Sequence, residues 1–248
     1  MTFWDHLDVL RKSIIRIAVA LVGVTVVLFL FKNFLFGDIV LAPADSSFWL
    51  YRLLGLDFTL SLVNIEVAAQ FMIHMKVTFI CALILTFPYI VYELWTFIAP
   101  ALYENEIKAI KGAFTFASVL FYTGLAVGYL VIFPLMINFF AAYQVTPDVP
   151  NTFSLSSYIS LFSSTVLIFG IVFQFPTLIA ILSALGIVTR EGLRQYRRHA
   201  VCAVVILAAL ITPSGDPFSL FVVTVPLYLL YEFSILICRK GELQIIED

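Results

Sequence analysis

Charge is what this sequence has least of. Only 12% of its 248 residues are Asp, Glu, Lys or Arg, about half the share of a soluble globular domain. Histidine is scarce too: His6, His74 and His199 stand far apart. The three cysteines, Cys81, Cys202 and Cys238, each fall inside an apolar block and read as small buried hydrophobes. Without ligand spacing among these residues, no metal centre and no cofactor is expected. The H-E-x-x-H, G-x-S-x-G, Walker and dinucleotide-binding motifs are missing. No span carries the two aspartates of an intramembrane aspartyl protease; Asp216 lies in a turn. The chain is therefore not expected to be an enzyme. A net charge of −2 gives no argument for a nucleic-acid partner, and none is expected.

What is abundant is apolar sequence. The chain is 62% hydrophobic with a mean hydropathy of +1.06, which would expose far too much apolar surface in water. Its few charges are bunched. Lys111 and Asp148 enclose 36 uncharged residues, and Asp148 and Arg190 enclose 41. Each run exceeds the roughly 20 apolar residues that cross a bilayer as a helix. A β-barrel would instead show alternating segments of about ten residues. The fold class expected is all-α: a polytopic membrane protein of one transmembrane domain, residues 1–248.

Six apolar blocks can be drawn, at about 14–31, 71–92, 113–142, 155–185, 200–212 and 218–238. With the N-terminus in the cytoplasm, 11 of the 14 basic residues fall on the inside. The positive-inside rule then places both termini there. Residues 1–13, with Phe3, Leu7, Leu10 and Ile14 at helical spacing, read as an amphipathic interfacial segment running into the first span. Ala42-Pro43-Ala44 mimics a signal-peptidase site but lies too far beyond the first block, which reads as a retained anchor. Residues 33–70 form one long external loop, either a cap over the helices or a docking surface.

Phe-Pro recurs deep in three blocks, as Phe87-Pro88, Phe133-Pro134 and Phe175-Pro176. Proline there bends helices, which predicts a curved, concave bundle. Gly124 and Gly128 have small-xxx-small spacing, which favours close packing inside the protein. The fifth block holds thirteen residues between His199 and Pro213, about 20 Å of helix against a core of roughly 30 Å. The last two helices are expected to be short. Lys76, Gln174 and Glu232 are polar groups at or near membrane depth and mark contacts to partners or to water. Gln174 either serves a carbonyl freed by Pro176 or lines a polar recess. The same three residues support an alternative reading as a small-solute or ion transporter, although no inverted repeat is seen.

The stretch from Glu93 to Lys108 packs aromatic residues, a proline and three carboxylates between the second and third blocks, more than a connector needs. Phe97-Ile98-Ala99-Pro100-Ala101-Leu102-Tyr103 followed by Glu106 resembles the signature of the TatC family, the multispanning receptor subunit of the twin-arginine translocase. His6-Leu7 with Leu10-Arg11-Lys12, Ala42-Pro43, Phe133-Pro134-Leu135, Phe173 to Pro176, Thr212-Pro213 with Asp216, and Tyr231-Glu232 resemble further family motifs in the right order.

That resemblance implies a receptor in the bacterial or archaeal cytoplasmic membrane. It would bind twin-arginine signal peptides of folded precursors at the cytoplasmic face. It would then assemble, in lipid and with self-association, with single-span TatA- or TatB-type subunits for export driven by the proton-motive force. Glu106 and Phe97 match the family positions implicated in the peptide contact, with Glu104, Pro100, Asp8 and Arg11 beside them. Pro43 and Asp216 match structural loop positions. Two positions depart from the pattern: Val9 stands where the family has an acidic residue, next to Asp8, and Gln174 stands where it typically has glutamate. Chemically, the planar fork of arginine binds carboxylates bidentately, so acidic side chains can prefer Arg-Arg over Lys-Lys. The plainer role of Glu104 and Glu106 is to start the third helix, with Pro100 setting its first turn.

Overall fold

A computed structural model describes residues 3–55, 60–101, 104–146, 148, 151–212 and 215–238, with the backbone alone for residues 3, 5, 101, 104–106 and 108–110. The described chain is almost entirely helical, as 62% hydrophobic residues in lipid require. Every backbone polar group at membrane depth must be satisfied within the protein, and helices do this locally.

Five helical stretches are long and apolar enough to cross a membrane: His6–Phe29, Ala69–Ile98, Lys111–Ala142, Leu155–Ala184 and Pro217–Ile237. The first lies in α1 (Phe3–Phe29), so the expected interfacial segment forms the opening turns of that same helix. The second is α3 (Ala69–Ile98). The third runs through α4 (Glu104–Val127), a wide π turn at Gly128–Ile132 and α5 (Phe133–Ala142). The fourth comprises α6 (Leu155–Val172) and α7 (Phe175–Ala184). After α8 (Arg190–Gln195), α9 (Arg197–Ile211) and α10 (Pro217–Ile237) close the bundle. Of these last two only α9 is short. Its 15 residues cover about 22 Å, whereas the 21 residues of α10 cover about 31 Å and match the bilayer core. The expectation of two short closing helices is corrected to one. Hydropathy marks the edges of an apolar block, but the cap sets where the helix starts. Asp216 caps α10, its Oδ1 accepting the Ser219 N–H at 2.8 Å.

The three Phe-Pro pairs act differently. Pro88 sits inside α3, and its missing N–H frees the carbonyl of Ile84. The Tyr122 hydroxyl from α4 donates to that carbonyl at 3.1 Å. Pro134 follows the π turn directly, and Pro176 opens α7 after a true break at Phe173-Gln174. Glycine then lets α4 and α6 touch. A Cβ on Gly124 would lie 2.5 Å from the Phe169 carbonyl oxygen, and one on Gly170 would lie 2.9 Å from Phe121 and Leu125 side-chain atoms. The small-xxx-small spacing serves packing within the chain, as expected.

Residues 33–55 are a cap rather than an open loop. A π turn at Phe34–Val40, a 3-10 turn at Ala42–Ala44 and α2 (Trp49–Leu54) fold back over the helices. Three tyrosine hydroxyls pin it: Tyr129 donates to Ile39 O at 2.8 Å, Tyr158 to Val40 O at 2.9 Å, and Tyr51 to Pro43 O at 2.9 Å. Burial pushes the ionisation of Tyr51 well above the usual tyrosine range, so it stays a donor at any physiological pH. A short parallel pairing of β1 (Leu62–Val63) with β2 (Phe153–Ser154) fastens the rest of the loop to the segment before α6.

Two apolar cores result. One joins the cap residues Val40 and Tyr51 to Ile73, Val77, Phe121, Phe133 and Tyr158; the other joins Met136, Phe169 and Phe173 to Ala208, Val223 and Leu227. Helix α1 belongs to neither. Among the described residues α3 is its one substantial neighbour.

Candidate functional site

The face of the bundle opposite the cap is where α1 begins and α3 ends. These two helices run antiparallel, which brings the start of the sequence against residues 89–97. Phe97, half-buried near the last turn of α3, stacks on His6 with ring centroids 4.3 Å apart and 26° between planes. Trp95 packs against Phe114 of α4 at 5.3 Å. The stretch expected to be a connector is thus mainly helix: α3 continues to Ile98, a 3-10 turn spans Ala99–Ala101, and α4 starts at Glu104. Pro100 is exposed in that turn and does not open α4, which corrects the expectation that it sets the helix start. At a turn its missing N–H leaves no helical bond unmade. Asp8 and Arg11 are exposed on α1. Glu104 and Glu106 are in the first turn of the α4 backbone; their side chains lie outside the described residues.

Below Phe97 sits a polar cluster that the sequence reading missed. Glu93, one turn earlier on the same face of α3, is 3% exposed. Its Oε1 accepts the Tyr89 hydroxyl at 2.7 Å and lies 3.7 Å from the Arg16 guanidinium of α1. The buried hydroxyl of Ser13 faces the same carboxyl. Oε2 of Glu93 is buried with no hydrogen-bond partner. The signal available in sequence was a carboxylate and an arginine in two neighbouring apolar blocks, each costly in lipid unless paired.

The other expected residues lie apart from this face cluster. The Gln174 amide at the α6–α7 break donates to the Ala117 carbonyl at 3.1 Å. It also edges a recess of about 760 Å³ bounded by Phe175, Tyr196, His199, Leu207 and Tyr231. That recess is overwhelmingly apolar, so the expectation of a polar one is corrected, and the amide serves α4 rather than the carbonyl freed by Pro176. Glu232 has its partners: Arg197 donates to Oε2 at 2.6 Å and the Tyr228 hydroxyl to Oε1 at 3.0 Å. Lys76 is exposed on α3, two turns from its start. Pro43 is buried in the cap. No group of three or more His, Cys, Asp or Glu that could hold a metal occurs among the described residues.

Antiparallel apolar helices, a pinned cap at one face and an aromatic rim over a buried carboxylate at the other define a polytopic α-helical membrane protein. Residues 5–226 match the sequence profile of the family described as Sec-independent protein translocase protein (TatC). A TatC of Blattabacterium is 38% identical over 96% of this chain and 94% of its own length, and that of Escherichia coli K12 is 33% identical over 94% and 86%. A crystal structure of the twin arginine translocase receptor TatC superposes with a TM-score of 0.78 at 27% identity, covering 94% of this chain and 99% of its own. The chain belongs to the TatC family. It is a component of the Sec-independent protein translocase, a reading that leaves the solute-transporter alternative without support.

Proposed function

We propose that this chain is the translocase's receptor subunit and that the rim around Phe97 binds twin-arginine signal peptides. The observation that carries the reading is the packing of Phe97. It is held by the His6 ring at the junction of α1, α3 and the turn into α4, in the stretch that matches the family signature. An aromatic face between helix ends can hold the apolar part of a peptide or the flat face of a guanidinium. Glu106, just past that turn, supplies a carboxylate for the bidentate arginine contact. Asp8, Arg11, Glu104 and Pro100 surround the same junction by position.

The rim faces the cytoplasm, with both termini inside, because the basic residues gather on that side. The capped face is external. Small single-span subunits of the TatA or TatB type assemble on the lipid-facing helices, where Gln174 edges the apolar recess, and export draws on the proton-motive force.

Crosslinking tests the reading. A photoreactive twin-arginine signal peptide should label this protein in membranes, and Glu106→Ala or Phe97→Ala should abolish the label. Equal labelling by a twin-lysine peptide would overturn it.

A further inference from the structure

We infer that Glu93 is a second arginine-reading carboxylate of this surface and that Arg16 is its resident counter-ion, displaced when the peptide binds. The inference rests on the proposed peptide-binding role of the rim and assigns the residue that reads the second arginine.

Residues four apart on a helix share a face, so the side of α3 toward α1 presents Tyr89, Glu93 and Phe97 in order. Against them α1 sets His6 on Phe97, and Ser13 and Arg16 at Glu93. An ionised carboxylate accepts at both oxygens. Glu93 is engaged at Oε1 alone; Oε2 is buried and unpartnered. Arg16 does not remedy this. One of its nitrogens stands 3.7 Å from Oε1, and its side chain is 59% exposed. The guanidinium is thus a loosely held neighbour, well short of the parallel two-bond contact that arginine makes with a free carboxylate. A second guanidinium presented edge-on would complete what Arg16 leaves open.

Access needs only α1 to yield. That helix contributes to neither apolar core and packs on α3 alone to any extent among the described residues. Moving its N-terminal half aside takes Ser13 and Arg16 away from Glu93 without opening the bundle. The chemistry of a paired motif also asks for two acceptors. Successive side chains of an extended peptide point to opposite sides, so one carboxylate cannot read both arginines. Glu93 precedes Phe97 by four residues and Glu106 follows it by nine. The two carboxylates thus lie to either side of Phe97 in the sequence, Glu93 within α3 and Glu106 in the first turn of α4.

The purely structural alternative is a latch in which Arg16 and Glu93 merely hold α1 on α3. The two roles differ in sign. Full-length protein in nanodiscs would be titrated with a fluorescent signal peptide carrying Arg-Arg, and with its Arg-Lys, Lys-Arg and Lys-Lys variants. Glu93→Gln should weaken Arg-Arg binding by roughly tenfold, the fold-change of one lost charge-assisted bond, and shrink the preference over one single-lysine peptide. Arg16→Gln, which removes the competitor, should tighten Arg-Arg binding. Exchanging the pair, Glu93→Arg with Arg16→Glu, restores the α1–α3 attraction but should leave binding weak. If Arg16→Gln weakens binding and the exchange restores it, the pair is a latch and the inference falls. Unchanged binding by Glu93→Gln overturns it as well. The parent reading fails separately: wild-type protein that binds Lys-Lys as tightly as Arg-Arg, or that is indifferent to Glu106→Ala, loses the rim as the receptor site whatever Glu93 does.

Discussion

Replacing Gly124 by alanine puts a methyl group where the structure has no room. Its Cβ would stand 2.5 Å from the Phe169 carbonyl oxygen and 2.7 Å from Cβ and Cγ of Phe173. A flexible side chain could rotate away, but a carbonyl inside α6 cannot, so α4 and α6 must separate. Separation also loosens the neighbouring contacts of Gly128 and Gly170 across the same seam. Overpacking of this kind costs about 1–3 kcal/mol, and a blocking backbone atom argues for the upper part of that range. Alanine is also the better helix former by about 1 kcal/mol, which partly masks the loss. Gly23→Ala separates the two effects. Gly23 is helical in α1, and a Cβ there meets nothing within 4 Å, so it gains the propensity term with no clash. Apparent melting temperature in detergent, read as the monodisperse fraction after heating, should rise or hold for Gly23→Ala and fall for Gly124→Ala. Gly128→Ala, whose nearest atom is a Phe169 side-chain carbon at 3.0 Å, should fall between them. A Gly124→Ala protein as stable as the Gly23→Ala protein would refute the close approach of α4 and α6.

The cap offers two further tests. Tyr158→Phe leaves the buried carbonyl of Val40 without its 2.9 Å donor. That should cost about 1–3 kcal/mol and speed proteolysis within residues 33–55; unchanged cleavage would mean that the hydroxyl does not pin the cap. Asp45, exposed at the cap's turn, accepts the Ser47 N–H at 2.7 Å, and this bond holds its carboxyl below the ordinary value of 3.8. A depressed folded value means that the stabilisation is present above the ordinary value and lost as pH falls through the folded one. Protease resistance of the cap should therefore drop below about pH 4 in the native protein and lose that step in Asp45→Asn.

Hydropathy made the spans legible, because it reports where lipid must be. It reported helix ends poorly. Residues 93–98 look like a turn when carboxylates and aromatics are counted, yet α3 runs on through them, since a helix can extend past the apolar block. The prolines were visible, but their separate consequences were not. A π turn before Pro134 and a break before Pro176 carry no periodic signal. The cap was legible only as one of two options. What decides it is hydrogen bonds between residues 90 and 118 positions apart, and no local pattern encodes such pairs. Phe97 and Glu106 stood out through a family signature. Glu93 and Arg16 were each visible as a charge in an apolar setting, but their meeting depends on α1 lying antiparallel to α3.

The two cores also determine which part of the receptor can respond to a peptide. Helices α4 to α6 are joined by glycine contacts and by both cores, and the cap is tied to them by Tyr129 and Tyr158. Among the described residues helix α1 packs substantially on α3 alone. It is held at the rim end by the His6–Phe97 stack and the loose Arg16–Glu93 pair one turn below, and at the other end by the Phe29–His74 stack. Both rim-end attachments use groups that an arginine-bearing peptide would itself engage: an aromatic face and a carboxylate. Peptide binding at the proposed rim site would compete directly with the hold on the N-terminal end of α1 and leave the rest of the bundle untouched. The part of that linkage carried at the rim comes from those two contacts, an aromatic stack of about 0.5–1.5 kcal/mol and an ion pair, loose at 3.7 Å with an exposed guanidinium, of about 1 kcal/mol. A coupling of that size shifts the position of α1 by roughly one to two orders of magnitude in population, enough for a switch at the rim without any rearrangement of α4 to α10.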